Sequence, residues 1–202
     1  MTNGGAVGVA LAGGRSRRMG ADKAQIPWQH TTLLGWTVER LHRVTGSTVL
    51  IAGPSRDSAA GSSAPSRTVE DAAARGPLAG LLGAAAAAPD RDLLVLACDL
   101  PLVTEQSLQG LLRTAAGSDA DAVVAWGPDR WQPLCAVYRP AALATLLERA
   151  RHGDHALYRA LRERAVRCER FLGSTEEPPE SWHRQLFNVN TPEDLESVRL
   201  RS

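Results

Sequence analysis

Cysteine is scarce in this sequence. The three that occur, Cys98, Cys135 and Cys168, are odd in number and lack a Cys-x-x-Cys spacing. Neither a disulfide framework nor a zinc or redox pair of cysteines is therefore expected. Residues 1–14 lack the basic start of a secretory signal, and their apolar stretch is too short and too rich in glycine for a signal peptide or a membrane span. We expect a cytoplasmic protein.

An excess of charge of either sign is also missing. The formal net charge of +1 gives no overall attraction to nucleic acid or to an anionic membrane, so neither is expected as a partner. Any anion must then bind at a local cluster of charge. One such cluster is present within residues 15–23, where the single carboxylate of Asp22 faces four cations: Arg15, Arg17, Arg18 and Lys23.

Composition and hydrophobic patterning predict an α/β fold. The 202 residues are 44% hydrophobic and 22% charged, which suits one domain over residues 1–202. Short apolar runs bounded by turn residues predict strands that are buried on both faces. These runs are residues 6–11, 47–52, 93–97, 122–126 and 134–138. Helical patterns lie between them, so we expect a parallel sheet with right-handed crossovers.

The helices are predicted from apolar spacing and from capping residues. Leu34, Val38 and Leu41 mark one helix. Thr104 and Thr191 are predicted to cap two others, the second with Pro192 at its first position. The two capped helices are predicted over residues 105–116 and 192–199. Further helices are predicted over residues 78–88, 141–150 and 156–164. Residues 53–67, rich in Ser, Ala, Pro and Gly, predict a mobile loop, and residues 166–171 predict a late edge strand.

A glycine-rich turn follows the first predicted strand, in the stretch LAGGRSRRMGADKA at residues 11–24. Backbone N–H groups of such a turn can approach a phosphate closely, and the nearby cations add positive charge. The stretch lacks the Gly-Lys-Ser/Thr of a Walker loop and the G-x-G-x-x-G of a dinucleotide fold. It therefore predicts a phosphate site of a third kind, and the alternative is a flexible turn with solvated arginines.

The order of residues in this stretch is more specific than its composition. L-A-G-G-x-S-x-R-M-G-x-D-K-A resembles the signature loop of nucleotidyltransferases that attach nucleoside monophosphates to phosphorylated acceptors, and most closely that of the MobA family of molybdenum cofactor guanylyltransferases. Four later segments resemble that family's motifs in the same order: RGPLAGL (75–81), CDLPLV (98–103), QPLCAVYRP (132–140) and FNVNTPEDL (187–195). The resemblance therefore spans nearly the whole chain.

This resemblance implies a Rossmann-like three-layer α/β fold with a mostly parallel central sheet. It implies transfer of GMP from GTP to molybdopterin bearing molybdenum, with Mg²⁺ and release of pyrophosphate. Lys23 would hold the phosphates, Asp99 would bind the metal, and Arg17 would add positive charge for catalysis. The residues implied in GTP binding are Leu11, Ala12, Gly13, Gly14, Lys23, Asp71, Gly76, Pro77 and Asp99, and those implied in acceptor binding are Asn188 and Asn190.

Several of these residues have structural alternatives. Asp99 follows an apolar run, at the strand end where open α/β sheets bind ligands, but it could also be a turn aspartate before a proline. Lys23 could be an ordinary surface lysine, and Asp71 could be a helix cap. In an extended segment the two asparagines would point the same way and could bind the acceptor or complete the metal coordination, or they could serve a turn. His152 and His155 are interpreted as a solvated helix entry.

Three functional hypotheses follow. The first is the guanylyltransferase, with GTP and molybdenum-molybdopterin as substrates and transient contacts with cofactor biosynthesis or acceptor proteins. The second is a sibling enzyme, either a molybdopterin cytidylyltransferase or a sugar-phosphate nucleotidyltransferase. The third is a non-catalytic regulator that binds nucleotides. The presence of both Asp99 and Lys23 counts against the regulator, because a binder under no catalytic demand need not keep a metal ligand.

Overall fold

The computed structural model describes residues 5–12, 22–54, 62–173 and 179–199. Its strands, in chain order, are β1 (Val7–Leu11), β2 (Pro27–Trp28), β3 (Thr31–Thr32), β4 (Val49–Ala52), β5 (Ser66–Thr68), β6 (Leu93–Ala97), β7 (Ala122–Trp126), β8 (Trp131–Tyr138) and β9 (Cys168–Phe171). Seven of them form one sheet in the order β5-β4-β1-β6-β8-β7-β9, and β2 and β3 pair separately. Only β8 runs antiparallel to its sheet neighbours, so the sheet is mostly parallel, as predicted.

Helices cover both faces of this sheet. They are α1 (Leu33–Thr45), α2 (Pro77–Ala87), α3 (Glu105–Gly117), α4 (Pro140–Arg151), α5 (Leu157–Arg162), α6 (Pro179–Gln185) and α7 (Pro192–Arg199). Alternate strand residues face opposite sides of the sheet. Val9 and Val95 belong to the core shared with α2, α4 and α5, whereas Ala10 and Leu94 belong to the core shared with α1 and α3. The three-layer prediction is therefore confirmed.

The predicted loop over residues 53–67 was partly wrong. Residues Ser66 and Arg67 lie in β5, which pairs in parallel with β4 at the edge of the sheet. All three residues of β5 are exposed and polar, so the sequence contains no apolar run that would predict this strand. Residues 55–61 lie outside the described part of the chain.

The late edge strand is confirmed as β9, and the prediction of one domain over residues 1–202 stays a prediction. Within the described ranges, no helix is long and apolar enough to cross a membrane.

The order of the strands places a crevice beside β1. The chain passes from β1 to β4 on one side and later returns to β6 on the other, so the connections leave the carboxyl ends of β1 and β6 in opposite directions. Open α/β sheets bind ligands at such a switch point. Backbone hydrogen bonds hold the strand ends together here, from Ala12 N to Ala52 O (2.8 Å) and from Cys98 N to Leu11 O (3.2 Å).

Two glycines let α2 approach these strand ends. At Gly80, an added Cβ would lie 3.1 Å from Leu11 Cδ2 and 3.2 Å from Ala52 Cβ. At Gly83, an added Cβ would overlap the backbone carbonyl of Glu70. The helix therefore packs directly on the segment that carries Asp71, and Ala72 N donates a 3.0 Å hydrogen bond to Ala79 O in the same contact.

This packing predicts the effect of Gly83→Ala. The new methyl group must push the Glu70 backbone aside, and overpacking of this kind costs about 1–3 kcal/mol of unfolding free energy. Gly117→Ala, at the end of α3, is the control, because an added Cβ there meets no atom within 4 Å. We expect the control to change stability little, and urea unfolding measures both variants. A Gly83→Ala protein as stable as wild type would contradict the close packing of α2 on residues 70–71.

Candidate active site

Lys23 lies at the centre of the candidate site. It begins a short 3₁₀ helix, Lys23–Gln25, whose preceding residue Asp22 accepts a 3.1 Å hydrogen bond from Ala24 N. Its side-chain Nζ donates a 2.8 Å hydrogen bond to Asn190 Oδ1 and lies 3.6 Å from Asp99 Oδ2. Lys23 is only 9% exposed, so it is not a surface lysine. It is also the only lysine in the chain.

Asp99 lies just beyond the carboxyl end of β6. Its side chain is 24% exposed, and its Oδ1 is buried without a hydrogen-bond partner. Burial raises the pKa of this carboxyl above its ordinary value, and the Lys23 ammonium opposes that shift. Capping of α3 falls to Thr104, as predicted, because the Thr104 hydroxyl accepts a hydrogen bond from Ser107 N (3.2 Å). The carboxylate of Asp99 therefore keeps one oxygen atom for a ligand.

Asp71 occupies the other side of the crevice. Its Oδ1 accepts a 2.9 Å hydrogen bond from Gly53 N, at the end of β4, and it does not cap a helix. Gly53 has a φ of +104°, and an added Cβ would overlap the Ala12 carbonyl. The Asp71 side chain thus links the segment after β5 to the end of β4, 18 residues earlier in the chain. Leu11 and Ala12 are buried there, whereas Gly13, Gly14 and Arg17 lie outside the described residues.

The C-terminal segment brings in the asparagines. Val189 between them is fully buried and packs with Trp28 and Leu33. Val189 N also donates a 2.9 Å hydrogen bond to Asp99 O. Asn190 reaches Lys23, but Asn188 does not. Asn188 donates instead to Leu186 O (3.2 Å), a local bond typical of an asparagine in a turn.

The start of α7 fixes this segment. Asp194 N donates to Thr191 Oγ1 (3.1 Å), which confirms the predicted cap, and Pro192 is the first helical residue. The Asp194 carboxylate accepts in return from Asn190 N (2.8 Å) and Thr191 N (2.9 Å). These two backbone N–H groups at the start of α7 have no partner within the helix, and the Asp194 carboxylate satisfies both of them. The backbone of Asn190 is thereby held in place.

Gly76 precedes α2, and Pro77 is its first residue. Both line a cavity of about 640 Å³, together with Gln132, His155 and Asn188. Gly76 has a φ of +61°, and an added Cβ would meet no atom within 4 Å. The interpretation of both histidines as solvated is wrong for His155, because its Nδ1 is buried without a partner. His152 is exposed as expected and pairs with Glu148 (3.0 Å).

Sequence reasoning missed the residues that hold the loop after Asp99. Trp36 Nε1 and Arg40 Nη1, both from α1, donate to Pro101 O at 3.1 and 3.0 Å. Buried Gln185 accepts a 2.7 Å hydrogen bond from Ser107 Oγ at the start of α3. These partners are 61 to 78 residues apart in the chain, and no local pattern could have paired them.

Comparisons with known proteins identify the family of the chain. The family model of the MobA-like NTP transferase domain matches residues 8–168. A molybdenum cofactor guanylyltransferase from Pseudomonas putida is 36% identical over 193 residues, which cover 93% of this chain and 94% of that relative. The enzyme of the same name from Ectopseudomonas mendocina is 33% identical over 196 residues, covering 95% and 90% of the two chains.

Solved structures share the fold. The molybdopterin-guanine dinucleotide biosynthesis protein A of Archaeoglobus fulgidus superposes with a TM-score of 0.74 at 20% identity, covering 96% of this chain and 99% of that one. A Mycobacterium tuberculosis protein solved in complex with manganese gives a TM-score of 0.59 at 19% identity, with 90% and 97% coverage.

The burial of Lys23 predicts two losses in Lys23→Met, which keeps the apolar stem and removes the ammonium. The carboxylate of Asp99 is left without its cation, so we expect unfolding free energy to fall by about 1–3 kcal/mol. Binding of a nucleoside triphosphate should weaken as well, because the phosphates lose a point charge. Urea unfolding and calorimetric titration measure the two effects. Full retention of nucleotide affinity would exclude Lys23 from the phosphate site.

Proposed function

The chain belongs to the family of MobA-like NTP transferase domains, and we propose that it transfers GMP from GTP to molybdopterin carrying molybdenum, with release of pyrophosphate. The meeting of Lys23, Asp99 and Asn190 at the β1–β6 switch point is the observation that carries this proposal. Two relatives that match more than nine-tenths of the chain bear the name molybdenum cofactor guanylyltransferase. The chain is an enzyme of the nucleotidyltransferase class.

The transfer reaction does not require a general base. An oxygen of the acceptor phosphate attacks the α-phosphorus of GTP in line; a new P–O bond forms as the bond to pyrophosphate breaks. The attacking phosphate is already ionised at neutral pH, so no proton has to be removed from it. Both reactants are anions, and the protein lowers the barrier by aligning them and by placing positive charge around the transferred group. Lys23 supplies such a charge, and we assign the same role to Arg17.

Asp99 fits a divalent metal ion. Its Oδ1 is a buried acceptor without a partner, and a carboxylate oxygen is a ligand that hard cations prefer. We propose Mg²⁺, held by Asp99 and the nucleotide phosphates. When bound, the metal neutralises charge that develops on the leaving pyrophosphate. The Lys23 ammonium, 3.6 Å from the same carboxylate, favours the ionised form of Asp99 and opposes the rise in its pKa that burial causes.

The remaining residues divide between the two substrates. We propose that GTP lies along the strand ends on the Asp71 side, at Leu11, Ala12, Gly13, Gly14, Asp71, Gly76 and Pro77. Asn190, bonded to Lys23, contacts the acceptor where its phosphate meets GTP, and Asn188 contacts the acceptor further along. A cytoplasmic location and transient contacts with cofactor biosynthesis or acceptor proteins stay predictions.

The base preference is the first test of this function. Guanine offers N1–H and an exocyclic amine to acceptors near Asp71 and Gly76, and cytosine cannot pair in the same way. GTP with Mg²⁺ should therefore raise the unfolding temperature more than CTP, ATP or UTP does at equal concentration. A ligand at 100 times its Kd adds about 2.7 kcal/mol of stability. Pyrophosphate release with each nucleotide is the parallel measurement, and a preference for CTP would identify the cytidylyltransferase instead.

Asp99→Asn separates chemistry from binding. The variant keeps the size of the side chain but loses the full negative charge, so metal binding weakens. Turnover should fall on the order of 10²–10³, while GTP affinity falls less because Lys23 still holds the phosphates. Asp92→Asn, at the opposite end of the same strand, is the matched control and should retain activity. GMP transfer is measured across Mg²⁺ concentrations, and wild-type turnover at limiting Mg²⁺ would show that Asp99 does not bind the metal.

A further inference from the structure

Residues 98–104 connect the end of β6 to the start of α3 and carry Asp99; they form the Asp99 loop. Backbone hydrogen bonds hold the first two residues of this loop. Cys98 N donates to Leu11 O in β1 (3.2 Å), and Asp99 O accepts from Val189 N (2.9 Å). Further along the loop, two backbone carbonyl groups accept hydrogen bonds from side chains instead.

Those side chains are Trp36 and Arg40, one turn apart on α1. Trp36 Nε1 donates to Pro101 O (3.1 Å), and Arg40 Nη1 donates to Pro101 O (3.0 Å) and to Val103 O. The guanidinium carbon of Arg40 lies 4.4 Å from the centroid of the Trp36 ring, so a cation–π contact joins the two donors. A single unit on α1 thus fixes the loop at two residues beyond Asp99.

The charge of Arg40 is costly if its role is stability alone. Arg40 is half-buried, and burial lowers the pKa of its guanidinium to about 10, a shift that the carboxylate of Glu105 opposes. Glu105 itself is bonded to Arg43 (2.8 Å), and Arg40 forms no ion pair within the part of the chain that the structure describes. Neutral donors could satisfy two carbonyl groups without desolvating a cation. A desolvated cation beside a crevice points to a role in function.

The same helix supports Lys23. The first residue of α1, Leu33, donates a 2.9 Å hydrogen bond from its backbone N to Ile26 O, three residues after Lys23. Ala24, next to Lys23, is fully buried in the same core cluster as Leu34 of α1. Helix α1 therefore holds both segments of the site, and it does so where the Lys23 ammonium and the Asp99 carboxylate approach to 3.6 Å.

We propose that Arg40 and Trp36 are positioning residues for metal binding: by holding Pro101 O and Val103 O, they fix the Asp99 loop so that its carboxylate lies beside Lys23. The inference rests on the proposed function for the presence of a divalent metal at Asp99. Asp99 Oδ1 has no hydrogen-bond partner, so the direction of this oxygen depends on the backbone of the loop. Groups that orient a metal ligand from outside typically contribute 10–100-fold, roughly, to metal affinity.

The test uses two variants of the full chain. Arg40→Met keeps the apolar stem and removes the donors to both carbonyl groups. Trp36→Phe keeps an aromatic ring beside Arg40 and removes the Nε1 donor. Arg43→Met is the matched control, because Arg43 lies one turn from Arg40 on the same helix and pairs with the carboxylates of Glu39 (3.3 Å) and Glu105 (2.8 Å) rather than with the loop.

The measured quantity is the ratio of two Kd values for GTP, one in EDTA and one in saturating Mg²⁺, from calorimetric titration without the acceptor. This ratio reports the contribution of the metal to nucleotide binding without turnover. We expect Arg40→Met to lower the ratio about tenfold, with the Kd in EDTA unchanged. Trp36→Phe should lower it less, because Arg40 still bonds to Pro101 O, and Arg43→Met should leave it unchanged. In GMP transfer by Arg40→Met, the apparent KM for Mg²⁺ should rise about tenfold, and saturating Mg²⁺ should restore kcat.

Asp99→Asn decides whether the effect passes through Asp99. In the Asp99→Asn background, Arg40→Met should not lower the ratio further, because the carboxylate that it positions has lost its charge. A merely structural role would give a different result. It would lower the unfolding free energy in both backgrounds and change the two Kd values equally.

The inference is overturned if Arg40→Met keeps the wild-type ratio, if it weakens GTP binding equally in EDTA and in Mg²⁺, or if its effect adds to that of Asp99→Asn. If Arg40→Met does not fold, Trp36→Phe carries the test with the same expected direction. Should wild type prefer CTP, the same ratios are measured with CTP and the same outcomes apply.

Failure of the proposed function is distinguishable from these results. A wild-type ratio no higher than that of Asp99→Asn would refute the metal at Asp99, and this inference with it. The expected ratios in a protein that transfers no GMP would support the positioning role of Arg40 and Trp36 and refute the guanylyltransferase.

Discussion

The hydrogen bond from Lys23 to Asn190 joins two parts of the chain that are 167 residues apart, and Asp99 completes the contact from the middle of the chain. Burying an ammonium is costly unless a carboxylate and a hydrogen-bond acceptor compensate it. Each partner is therefore required by the others. The buried ion pair of Lys23 and Asp99 is weak evidence for a role in stability, because apolar side chains would fill the same space at a lower free-energy cost. The second carboxylate oxygen of Asp99 has no hydrogen-bond partner, and this points to a ligand.

The sheet makes this contact possible. Parallel pairing of β1 with β4 and β6 brings Ala12, Gly53 and Asp99 to one edge, and close packing of α2 at Gly83 adds the segment with Asp71. The antiparallel strand β8 contributes its beginning to that same edge, where the parallel strands contribute their ends. In the function proposed above, this one edge binds the nucleotide on the side of Asp71 and the acceptor on the other side of Asp99.

The sequence could predict those elements whose signal is local. The apolar runs of β1, β4 and β6 are continuous because both faces of these strands are buried, and the caps at Thr104 and Thr191 act on their own helices. Strand β5 depends on pairing with β4, and its exposed Ser-Arg-Thr gave no apolar signal. Lys23 and Asp99 were found through motif resemblance, but their contact and the orphaned Nδ1 of His155 depend on distant residues, which local patterns do not contain.

The choice of lysine at position 23 follows from the same geometry. The chain contains 22 arginines and this single lysine, so cationic side chains elsewhere are guanidinium groups. A guanidinium presents five donors in a rigid plane, whereas the crevice offers one amide oxygen at 2.8 Å and one carboxylate oxygen at 3.6 Å. An arginine here would leave buried donors without acceptors. A compact ammonium with three donors can satisfy both protein oxygens and retain one donor, which in the function proposed above binds a phosphate.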